Sequence, residues 1–232
     1  KQHPKHALTP QAHYMSAFAT LGEKDYVVAR TRAESFLANA EYAKHELTPA
    51  VLFIAGEGYL LHPDEANQDA HRIKAEALYR RVVAEYPEHP RVSAANLRIS
   101  WCLYQGKKYT ESAALLRTIL PSLTEPAQKA DATFLLGRNS IGLTKDQEAI
   151  GFFDQSLAAD PQWARRDEVL LASGGSYRRL MNVAAATGRF TELASKYPDS
   201  TYRAQALFEL GELAQQEAKH DVAIGHFNET VA

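Results

Sequence analysis

Residues 133–161 read TFLLGRNSIGLTKDQEAIGFFDQSLAADP, and one spacing in this stretch decides the fold. Leu136-Gly137 is followed by Ala149 twelve residues after the glycine, by Phe153 four later, by Leu157 four later again, and by Pro161. Residues 207–231 repeat it with Leu210-Gly211, Ala223, Phe227 and Val231 at the same intervals. Steps of three and four return to one face of an α-helix, so the Leu-Gly pair marks one helix and the Ala/Phe/Leu series a second. A proline cannot extend a helix and closes the unit. The spacing therefore predicts a helix–turn–helix hairpin repeated along the chain.

Other stretches fall into the same register. Ile99-Ser100 leads to Ser112, Leu116 and Leu120, and Ser173-Gly174 leads to Ala186, Phe190 and Pro198. Upstream, Ala55-Gly56 and Tyr59 pair with Ala75, Tyr79, Val83 and Pro87, but 19 residues separate Gly56 from Ala75, so about seven extra residues near 62–69 lengthen that turn. Ala17, Ala29, Phe36 and Leu37 preserve the pattern at the start. Six units are expected, beginning near residues 10, 49, 93, 130, 167 and 204, in a single domain over 1–232 that is a piece of a longer chain. Small residues at the Gly and Ala positions let the two helices approach. The aromatics Phe153, Phe190 and Phe227 are expected to fill the space between successive units.

Composition agrees with a folded helical protein and excludes several function classes. Of 232 residues, 45% are apolar and 23% charged, which excludes a disordered chain. The net charge of −2 gives no electrostatic case for binding nucleic acid or an anionic membrane. Apolar runs reach only about seven residues, against the roughly 20 of a membrane-spanning helix. A single cysteine, Cys102, forbids an internal disulfide.

The repeat resembles the tetratricopeptide repeat family over roughly residues 10–232. Departures are Ser140 and Ala214 where an aromatic is usual, Met181-Asn182 where a Gly-Asp turn is common, and Gly188 inside a second helix. Links after Pro161 and Pro198 run about three residues longer than the family's minimal period. With KYPDSTYRAQALFELGELAQ at 196–215, they give a similarity to the tetratricopeptide proteins of bacterial cell envelopes, including Tol-Pal-associated and outer-membrane assembly factors. The resemblance implies an all-α right-handed superhelical solenoid and a periplasmic or envelope location, a cytoplasmic one being the alternative. It also implies a concave wall lined by the first helices. On this sequence that wall takes Phe53, Glu57 and Leu60, then Leu97, Trp101 and Tyr104, then Phe134, Arg138 and Ile141, then Leu171, Gly175 and Arg178. The Lys and Asn pair by which some relatives clamp a peptide carboxylate is missing from Leu97/Trp101 and Phe134/Arg138.

Little else carries chemistry. Cys102 lies beside Ile99 and Leu103 at helical spacing and reads as a small core residue. His3 and His6 stand three apart in a Pro-containing terminus, and no HExxH, paired cysteines or calcium-spaced acids occur, so no metal site or cofactor is expected. Gly56-Glu57-Gly58 and Gly174-Gly175 read as close helix packing rather than nucleotide loops. Arg80-Arg81, Arg165-Arg166 and Arg178-Arg179 alternate with acids and read as solvated faces. No nucleophile–base pair or carboxylate pair is identifiable.

The expected function is a non-catalytic scaffold that holds a peptide or helix of a partner protein along Phe53, Leu97, Trp101, Tyr104, Phe134, Arg138, Ile141 and Arg178, because aromatics and arginines dominate binding hot spots. The alternatives are a regulatory or targeting portion of a larger enzyme or sensor, and a self-assembling structural protein. Ile224 and Phe227 on the last helix suggest self-association through that end.

Overall fold

The computed structural model describes residues 6–231. Twelve α-helices and no strand occur among them: α1 (Thr9–Gly22), α2 (Tyr26–Leu37), α3 (Thr48–Leu60), α4 (Gln68–Glu85), α5 (Val92–Gln105), α6 (Tyr109–Ile119), α7 (Pro126–Gly142), α8 (Asp146–Ala159), α9 (Arg166–Arg179), α10 (Val183–Lys196), α11 (Arg203–Gln216) and α12 (His220–Val231). The fold is all-α and built of successive helical hairpins. Two compact units divide within α6, one ending at Leu115 and the other beginning at Leu116.

Each short hairpin turn is made the same way. One residue sits in the left-handed region, at Lys24, Lys107, Thr144, Met181 and Ala218, with φ between 58° and 62°. In the α7–α8 turn Thr144 N–H donates to Ile141 O and Lys145 N–H to Ser140 O; Met181/Asn182 and Ala218/Lys219 repeat these bonds. This pattern of a six-residue and a four-residue closure satisfies carbonyls that a helix end otherwise leaves open. The next residue starts the second helix, and Asp25 and Asn182 cap it by accepting from Val28 N–H and Ala185 N–H. All five left-handed positions hold a residue other than glycine, and Thr144 is β-branched, the least suited of them.

In the first unit, α1 packs on α2, α2 on α3, α3 on α4 and α4 on α5. Helix α3 is buried from Thr48 to Tyr59. The longer α3–α4 connection contains a 3₁₀ turn over Glu65–Asn67, with Asp64 capping it. In the second unit α7 to α12 pack in sequence, each on the next. Arg166 donates to Leu157 O at 2.5 Å and Arg203 to Ala194 O at 3.2 Å. Each is the first residue of its helix and reaches back nine positions to hold the end of the preceding one.

The aromatic of each second helix lies against the glycine of its own hairpin. A Cβ on Gly137, Gly174 or Gly211 would fall 2.4 Å, 2.5 Å and 2.4 Å from Cε1 of Phe153, Phe190 and Phe227; one on Gly56 would fall 2.6 Å from Tyr79. The ring seals its own hairpin, and Phe153 also joins a cluster with Trp163 and Val169 of the following segment. Phe190 also clusters with Ala206, Leu207 and Leu210 of α11, so the rings serve the packing between units as well.

Candidate functional site

The expected wall residues are read off one face of each first helix, because positions three before, one after and four after the glycine share a helix face. The structure treats them unequally. Phe134 is fully buried, and Phe53 and Glu57 are buried. Leu97, Trp101, Tyr104, Ile141, Arg138 and Arg178 are half-buried.

Phe134 is therefore not an open contact residue, and Phe53 is nearly as closed. The longer links explain why. Trp163, in the link after Pro161, sets its ring 5.7 Å from Phe134, and Arg165 lies 4.6 Å above the same ring. Arg91, at the end of the link before α5, lies 5.2 Å from the Phe53 ring. Tyr202, directly before α11, joins the cluster that holds Leu171. Arg165 and Arg91, each just ahead of the next first helix, thus fold over the aromatic one repeat earlier.

Glu57 is an interior anion. Arg98 of α5 donates to it through Nε and Nη2 at 2.6 and 2.9 Å, and Tyr79 Oη donates at 2.6 Å. Desolvation, followed by Glu57, pushes the Tyr79 phenol well above its ordinary range, so it stays a donor. The acid thus ties α3, α4 and α5 together and is unavailable to a ligand.

The second-unit arginines are similarly engaged. Arg138 pairs with Glu168 at 3.5 Å, and Arg178 pairs with Glu209 and, at 3.7 Å, with Glu212. Each joins one first helix to the next. A guanidinium already held by carboxylates is a brace between repeats.

What the first unit presents on α5 is an aromatic row. Trp101 lies 5.5 Å from Tyr104, and Tyr104 lies 5.7 Å from Tyr109 at the start of α6. Leu97 precedes them by one turn on the same face.

Cys102 is fully buried, and burial pushes its thiol up to about 12. It is protonated at neutral pH and packs with Ile99, Leu103 and Tyr79. His3, half of the terminal His3/His6 pair, lies outside the described residues. A different cluster, missed by sequence reasoning, brings His62, Asp64 and His71 together. Its signal was the seven-residue lengthening of the α3–α4 turn, where the first two stand, with His71 in the first turn of α4. No described helix is long and apolar enough to cross a membrane.

Comparison with known proteins agrees with this architecture. Residues 63–231 match the family YfiO, outer membrane lipoprotein. No curated protein matches the chain. Among solved structures, PilF of Pseudomonas aeruginosa superposes with a TM-score of 0.71 at 15% identity, covering 94% of this chain and 88% of that one. A tetratricopeptide repeat protein from Parabacteroides merdae gives 0.69 at 14% identity, covering 96% and 78%. MamA from Desulfovibrio magneticus gives 0.63 at 19% identity, covering 82% and 97%. At these identities the superpositions speak for the fold alone. Together with the matched residues they place the chain: it is a tetratricopeptide-repeat protein and belongs to the YfiO family of outer membrane lipoproteins.

Proposed function

We propose that the protein is a non-catalytic scaffold of the bacterial envelope that binds a segment of another protein across the half-buried aromatic row of α5. Repeat folds of this type present extended surfaces on which partners dock. The observation that carries the reading is the half-buried row Leu97, Trp101, Tyr104 and Tyr109, because large flat aromatics supply contact area at low entropic cost. The family match supports an envelope location. Phe53 and Phe134 are buried and act as packing residues, each within its own unit.

Affinity measurement tests this. Once a partner is captured with the full chain, Trp101→Ala is expected to weaken binding about thirtyfold, or roughly 2 kcal/mol, while the exposed Lys145→Ala changes it little. A folded Trp101→Ala variant that binds like wild type overturns the assignment.

One observation favours a second reading. Phe208, Val222 and Ile224, large apolar side chains of the α11–α12 hairpin, are 48%, 51% and 56% exposed. We propose that this hairpin takes part in self-association, which sedimentation across a concentration series tests: mass rising with concentration, and lost in Ile224→Lys, supports it, and a monomer throughout rejects it.

A further inference from the structure

We propose that His62, Asp64 and His71 form a binding site for a divalent transition-metal ion, of which Zn²⁺ is the representative. One ligand atom from each residue lies within 4.8 Å of the others. Two imidazoles and one carboxylate form a donor set that suits borderline metals and leaves a fourth position for water or a partner's side chain.

Three features separate this cluster from an ordinary polar patch. The Nδ1 atoms of His62 and His71 are both buried and have no hydrogen-bond partner, an arrangement that costs free energy unless something occupies them. The two rings meet edge-on at 5.4 Å, and the three residues share the lining of one cavity of about 70 Å³. The residues also come from a piece of chain added to the repeat: His62 and Asp64 stand in the lengthened α3–α4 turn, and His71 in the first turn of α4. An ion there would pin the added turn to the helix it precedes.

The surroundings set what binding requires. Tetrahedral Zn²⁺ with bonds near 2.0–2.1 Å needs ligand atoms about 3.3 Å apart, so atoms as much as 4.8 Å apart must close by up to about 1.5 Å. Asp64 keeps its carboxylate oriented by accepting from Asn67 N–H at 3.2 Å and from Asn67 Nδ2 at 3.0 Å. Arg30 stands 3.4 Å from His71 Nε2 and 4.6 Å over the Tyr59 ring; Lys74 lies 5.2 Å from that ring. Ligation through Nδ1 of His71 leaves a proton on Nε2, so Arg30 must give way while remaining on the aromatic face. Arg72 is occupied by Asp69 at 3.1 Å.

The test is titration of the chelator-treated full chain with ZnCl₂ by calorimetry, and with CoCl₂ by visible absorption. The expected result is one saturable equivalent, weakened at least about tenfold in His62→Ala and in His71→Ala and unchanged in His6→Ala and His220→Ala. Circular dichroism checks each fold; should His71→Ala fail to fold, His62→Ala in the turn decides alone. No saturable uptake by wild type, uptake unaffected in folded His62→Ala, or uptake lost in His6→Ala overturns the site.

Discussion

Phe153 lies so close to Gly137 that a methyl group on the glycine would overlap its ring edge at 2.4 Å. The contact is made inside one hairpin and recurs at Gly174/Phe190 and Gly211/Phe227, always sixteen residues apart. The lengthened hairpin keeps it as Gly56/Tyr79, twenty-three apart. A repeated sequence interval is thus the trace of a repeated steric fit.

Two glycine substitutions separate that fit from simple helix propensity. Gly137→Ala must push apart a packed aromatic and is expected to cost about 2 kcal/mol. Gly188, inside α10, has no atom within 4 Å of an added Cβ, so Gly188→Ala is expected to gain about 0.5–1 kcal/mol. Thermal unfolding of both variants checks the signs, and equal effects would refute the packing argument.

Thr144 occupies the left-handed turn position with φ of 58°. Replacing it with glycine relieves a conformation that costs a β-branched residue about 1–2 kcal/mol, partly offset by glycine's freedom in the unfolded chain. Thr144→Gly is expected to raise the melting temperature by about 2–4 °C. Thr144→Val, which keeps the branch, is expected not to.

How much of this was legible follows from which contacts are local. The hairpins were readable because Leu136-Gly137, Ala149 and Phe153 face one another at fixed spacing. The burial of Phe134 was not, because Trp163 and Arg165 cover it from a link whose path no periodicity describes. The same holds for Glu57, which Arg98 neutralises from 41 residues away. Nor could residue types alone show that Arg138 and Arg178 find acids on the next first helix.

Acid sensitivity has an identifiable source in the second unit. Arg179 donates to both oxygens of Asp146 at 2.6–3.1 Å and holds its carboxyl below the ordinary aspartate range. A depressed carboxylate contributes stability above the unfolded pKa of about 3.9 and loses it as pH falls through the folded value. Wild type is expected to exceed Arg179→Ala by about 1 kcal/mol at pH 7, Arg179 being half exposed. The gap should close below about pH 3.9, which urea denaturation at several pH values measures.

Cys102 is fully buried with its thiol raised to about 12. The native protein is expected to resist a thiol reagent at pH 7.5 and to release one equivalent only on denaturation. Rapid labelling of the folded chain would show that the α5 core opens.

The most direct test of the α5 surface is contact with the partner itself. A photoreactive amino acid placed at Leu97 in the full chain, in cells that make it, is expected to crosslink to a protein of the envelope, and the same probe at Lys145 on the start of α8 is expected not to. Crosslinking from Lys145 alone, or from neither position, contradicts the account.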